Sequence, residues 1–192
     1  MERQQFFALS NPIEVIIGKS KYQWRTDDLL KVIKEKNIER ITFHYTGWDG
    51  KIKELRIPIT DYDQAVHILT DGERVDGSSL FKGVVDTGKS DLYVVPSYKT
   101  AFLNPFDDKS LDFICRFFDK DGNLAPFAPD NILLKLSQEL QNKTGYELYA
   151  LSELEFYLIH EPKSEIYKLQ AQNGYHASAP FVKSANILDE IL

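Results

Sequence analysis

Cysteine is nearly absent: Cys115 is the only one in 192 residues, which excludes an internal disulfide. No apolar run approaches the roughly 20 residues that cross a bilayer, and the N-terminal stretch MERQQFFALSNPIEVIIG lacks an apolar segment of signal-peptide length. Cationic blocks are missing too. Lysine and arginine number 23 against 29 acidic residues, giving a net charge of -6, with no basic stripe to track a phosphate backbone. These absences argue against a nucleic-acid or membrane partner and point to a cytoplasmic chain. No internal repeat or low-complexity segment is evident. What is present is a globular composition, 43% hydrophobic and 12% aromatic.

Thr26, Asp27 and Asp28 form a helix start, since a capping oxygen and two acids suit the free amides of a first turn. Leu29, Leu30, Val32 and Ile33 then share an apolar face. Ile41, Phe43 and Tyr45 alternate as a strand, Gly47-Trp-Asp-Gly50 supplies a turn, and Leu55, Ile57 and Ile59 resume the alternation. That pattern predicts a hairpin. A short helix is expected from Asp61 to Leu69, with Ala65, Val66, Ile68 and Leu69 buried and Gly72 ending it. Short strands are expected over Ser90–Pro96, Ala101–Pro105 and the LDFICRFFD segment, the last closed by an Asp121-Gly122 turn. Pro129 and Asp130 open an amphipathic helix in which Ile132, Leu133, Leu136 and Leu140 share a face, with Gly145 as its stop. A final helix capped by Ser184 would carry Ile187, Leu188, Ile191 and Leu192; its apolar face is still being built at the last residue, which reads as truncation within a larger fold.

Two segments carry candidate chemistry. In ALSELEFYLI, read as a strand, Glu153 and Glu155 share one face with Tyr157 while Leu154, Phe156 and Leu158 take the other. Carboxylates about 7 Å apart at Cα can grip one or two hard divalent ions. A strand with one solvated face explains the same pattern, and a glycosidase pair does not, because its acids must flank a scissile bond. The second segment, VDGSSLFKG, has the composition of a mobile functional loop, and Asp76 could accept hydrogen bonds or bind a cation. A connecting turn is the plainer account, and the spacing is not that of a phosphate-binding glycine loop. His176 and His44 read as structural or surface histidines, and Cys115 as a small buried apolar side chain.

Taken in order, DGSSLFKG, SDLYVVPSYKTAFLNPF, ICRFFDKDG, SELEF and GYHASAPF resemble the glutamine synthetase family from about Ile38 onward. The resemblance implies an α+β architecture: a β-grasp N-terminal domain over 1–107, then an incomplete catalytic domain over 108–192. It implies that Glu153 and Glu155 each serve one of two Mg²⁺ or Mn²⁺ sites. Asp76 becomes the base that deprotonates ammonium, Asp91 part of the ammonium site, and Phe81 an aromatic residue near the nucleotide and the subunit contact. The implied reaction joins ammonia to the side-chain carboxylate of glutamate, with ATP as co-substrate and a γ-glutamyl phosphate between, inside a homo-oligomeric ring whose neighbouring subunits share active sites.

Two departures stand out. Glu-Leu-Glu replaces the common Glu-Pro-Glu, and Ala128-Pro-Asp-Asn131 replaces Arg-Asp-Pro-Arg, a loss of two cations that bears on a surface contact or on regulation. The chain also ends before the family's remaining metal ligands and phosphate-binding arginines, so by itself it is expected to be inactive and to bind divalent ions weakly. A ligase using a different amine and a non-catalytic interaction module are the alternatives.

Overall fold

The computed structural model describes residues 10–158 and 185–191, which fall into two compact units dividing between Leu148 and Tyr149. The first unit is built on a mixed sheet. Strands β1 (Arg40–Thr46), β2 (Ile52–Pro58), β3 (Glu73–Asp76), β4 (Asp91–Pro96) and β6 (Ser110–Asp119) lie in the order β2-β1-β6-β4-β3, and the short β5 (Phe102–Leu103) pairs with β6. β1 runs parallel to β6 and antiparallel to β2; β4 is antiparallel to both β3 and β6. β6 is therefore the central strand, and the expected domain limit at 107 falls just before it.

One face of this sheet is apolar because the period-two pattern places Ile41, Phe43 and Tyr45 of β1 beside Leu111, Phe113, Cys115 and Phe117 of β6 and Leu92 and Val94 of β4, all buried. Helices α1 (Pro12–Ile17), α2 (Thr26–Glu35) and α3 (Tyr62–Asp71) contribute Ile13, Leu29, Val32, Ile68 and Leu69 to the same core. Edge-on aromatic pairs, Phe43 with Phe113 and Tyr45 with Phe117, lock its centre; each such pair is worth about 0.5–1.5 kcal/mol beyond its buried area. α1 starts at Asn11, whose side chain accepts from the Ile13 amide. The Thr26 hydroxyl does not cap α2 but pairs with the Tyr98 hydroxyl at 2.9 Å, and that hydroxyl donates to the Leu69 carbonyl of α3, tying both helices to the loop after β4.

The opposite face is mixed, and here the structure corrects the surface reading of His44. Its Nε2 lies 2.7 Å from Asp112 Oδ2, its ring stacks on Phe102, and its side chain is only 17% exposed. Asp112 is fully buried and also accepts from Asn104 Nδ2 and the Ser110 hydroxyl, which in turn pairs with Thr42. A carboxylate can be buried there because its oxygens are met on both sides.

Helix α5 (Pro129–Thr144) begins and stops where expected, with Gly145 left-handed at its end. Its apolar face is not covered: Ile132, Leu133, Leu136 and Leu140 are exposed, and the buried residue is Asn131. The Asn131 amide donates to the Phe117 and Ala125 carbonyls, while Arg116 pairs with Asp130 at 3.3 Å. The Ala128–Asn131 segment thus anchors α5 to β6. Helix α4 (Gly77–Leu80) is a single turn, and α6 (Ala185–Ile191) is the final helix; its expected cap Ser184, and Leu192, lie outside the described residues, as does His176. No helix among the described residues is long and apolar enough to cross a membrane.

Candidate functional site

The stretch read as a loop around Asp76 is a strand followed by a helical turn. Gly72 ends α3 at φ 72°, a left-handed conformation, and packs so closely on β4 that a Cβ there would lie 2.1 Å from the Val94 carbonyl oxygen. The chain is thereby delivered into β3 at the edge of the sheet. Val75 turns inward opposite Leu92, and Asp76 pairs in register with Asp91. Gly77 then tucks under Leu92, its amide donating to the Ser90 carbonyl at 2.7 Å, where a Cβ would meet both Leu92 and that carbonyl at under 3 Å.

Directly opposite residues in an antiparallel pair project to the same side. Asp76 and Asp91 therefore stand together on the outer face, with Arg74 and its partner Tyr93 one step along. Two like charges so placed repel, and each is met separately. Asp76 Oδ1 accepts from the Ser78 amide and hydroxyl at 3.0 and 2.7 Å, and Oδ2 accepts from the Ser79 hydroxyl at 2.5 Å. These donors, Ser79 first and then Ser78, hold the carboxyl down to about 2 against the opposing effect of desolvation. Asp91 takes the Arg74 guanidinium at 3.3 Å. The result is an exposed, carboxylate-lined edge that suits a small cation.

Phe81 is placed differently from the expectation. It is fully buried, edge-on to Phe117 at 4.9 Å and to Phe127 at 5.0 Å between ring centres. Its ring presents no face to a nucleotide; it fastens the turn after Asp76 to the core. The expectation for Phe81 came from the family resemblance alone, which says nothing of which ring is enclosed.

Glu153 and Glu155 are described in the second unit, and the expected strand is not formed. Residues 149–158 have no regular structure, and Leu154, Phe156 and Leu158 are exposed along with both glutamates. A strand exists only against a hydrogen-bonded neighbour, and none of the described strands pairs with this segment. Among the described residues no three His, Cys, Asp or Glu side chains are grouped so as to hold a metal ion. Mg²⁺ keeps several waters beside one or two carboxylates, so by donor type Glu153 and Glu155 are the residues that would hold such an ion, with its remaining ligands from outside the described residues.

Comparison with known proteins matches residues 37–120 to the glutamine synthetase β-grasp domain. The glutamine synthetase of Thermotoga maritima is 29% identical over 171 residues, covering 86% of this chain and 38% of that protein. A 3-hydroxylaminophenol mutase of Cupriavidus pinatubonensis is 30% identical over 91 residues, 46% of this chain and 18% of its own length. In structure, the Plasmodium falciparum glutamine synthetase superposes with a TM-score of 0.53 over 62% of this chain and 23% of that one, at 22% identity. The chain thus spans well under half the length of the relatives it matches.

Proposed function

Because residues 37–120 are a β-grasp domain of the glutamine synthetase family, we propose that the chain serves, as the N-terminal part of a ligase, the ATP-driven joining of ammonia to the side-chain carboxylate of glutamate. The observation that carries this reading is the in-register pair Asp76 and Asp91, exposed on the sheet edge. Ammonium is a small hydrated cation, and two carboxylates on one face supply charge and acceptors for it. Asp76 holds that cation. A carboxyl at about 2 is a weak base at neutral pH, so the expected role in taking the ammonium proton requires the Ser78 and Ser79 donors to move away first.

In this proposal the acceptor is the acyl phosphate that ATP makes from glutamate, and the carboxylate pair delivers the amine to a neighbouring subunit of a homo-oligomeric ring in the cytoplasm. Residues 108–192 form the incomplete start of the catalytic domain. Glu153 and Glu155 supply part of two divalent-ion sites, Mg²⁺ or Mn²⁺, whose completion needs ligands from outside the described residues.

The test is a glutamine-forming assay with glutamate, ATP and ammonium. The 192-residue chain alone gives no turnover, whereas a full-length protein carrying this sequence does, and its Asp76→Asn and Asp91→Asn variants lose saturation by ammonium. Turnover by the short chain, or a full-length enzyme that accepts only an alkylamine or polyamine, overturns the proposal.

A further inference from the structure

The charge balance of the β3–β4 edge depends on a residue that the sequence did not single out. Arg74 lies two positions before Asp76 on the same face of β3, and reaches diagonally across the ladder so that Nη1 sits 3.3 Å from Asp91 Oδ1. Both partners are well exposed, 65% for the Arg74 side chain and 57% for that of Asp91. Asp76 needs no such partner, since its oxygens are occupied by serine donors. The guanidinium thus lies on the one carboxylate of the pair that has no serine shell.

We infer that Arg74 is a resident competitor at the ammonium site, a positioning residue that occupies the cation-accepting side of Asp91 and must yield for ammonium to engage both carboxylates. This inference rests on the ammonium reading above. An exposed ion pair shifts an equilibrium by a factor of about five at most, so Arg74 does not close the site. It sets the ammonium concentration at which the site fills, and it keeps the two carboxylates from repelling one another while the site is empty. The remaining member of the face, Tyr93, is a phenol with no cationic group to replace the guanidinium.

The experiment is an ammonium chloride titration of the 192-residue chain followed by the amide resonances of Asp76, Ser78 and Asp91, with tetramethylammonium chloride holding ionic strength constant. The wild-type chain and the Arg74→Gln and Arg74→Lys variants are compared. Saturable shifts whose midpoint falls about three- to fivefold in Arg74→Gln, and stays near wild type in Arg74→Lys, support the inference. Equal midpoints in wild type and Arg74→Gln overturn it while leaving the ammonium site standing. No saturable shift in any of the three overturns the ammonium reading and this inference with it. Because Arg74 projects into solvent, its replacement leaves the fold intact, and the unchanged resonances of the core strands verify that in the same spectra.

Discussion

Asp76 and Asp91 face each other across the β3–β4 ladder, fifteen residues apart in sequence and directly opposed in register. Each is met by a different device, serine donors for the first and a guanidinium for the second. Two carboxylates can stand side by side at the sheet edge because each has its own donors.

The serine shell makes Asp76 titrate low. Its folded pKa of about 2 lies below the ordinary 3.8, so its contribution to stability is fully present above about 3.8 and is lost as pH falls through about 2. Replacing Ser78 and Ser79 together by alanine removes the two leading causes of the shift. Carboxyl-carbon NMR should show the Asp76 midpoint rising toward 3.8, and acid unfolding should lose its component between pH 4 and 2. A midpoint unmoved by the double substitution contradicts the assignment.

Gly72 is held by contact as well as by conformation. Alanine there would place Cβ against the backbone of Val94 and Val95 while keeping φ at 72°, a combination that costs about 2–4 kcal/mol through strain and displacement of β4. Gly122, at φ 80° but with open space around it, should tolerate alanine with a loss of about 1 kcal/mol. Urea midpoints of the two variants measure the difference, and equal losses would contradict it.

The buried Asp112 is the acceptor on which His44, Asn104 and Ser110 converge. Asp112→Ala strands those donors and should cost about 3–5 kcal/mol. His44→Ala removes one partner from the rim and should cost less. Chemical unfolding of both variants tests the order, and an Asp112→Ala loss no larger than that of His44→Ala would contradict it.

Helix α5 presents Leu133 and Leu136, 61% and 56% exposed, to solvent. Changing both to lysine should leave stability within about 0.5 kcal/mol per site and reduce binding of a hydrophobic dye and self-association. A large fall in the urea midpoint would mean that these side chains are buried in solution.

Manganese should bind this chain more weakly than about 10⁻⁴ M, because Glu153 and Glu155 have no third grouped ligand among the described residues. Electron spin resonance of free Mn²⁺ measures this. Submicromolar binding lost in Glu153→Gln would show a complete site.

Much of the fold was legible because its elements announce themselves locally. The Ile41, Phe43, Tyr45 alternation, the Gly47–Gly50 turn, the Asp61 cap and the Pro129 to Gly145 helix all needed only nearest neighbours along the chain. α1 was missed although its signal was there, an asparagine cap followed by proline. The short β3 was missed for a better reason: four residues flanked by glycines carry too little periodicity to be told from a loop.

The sequence alone determined which residues share a face and the order in which the family's motifs run, since both follow from spacing along the chain. Only the tertiary structure decided what lies against each face. It enclosed Phe81, seated His44 on Asp112, left the leucines of α5 bare, set Asp76 against Asp91, and gave Glu153 and Glu155 no strand. Strand pairing and burial join residues far apart in sequence, and a period of two or of 3.6 tells how side chains are arranged on an element without telling which element covers them.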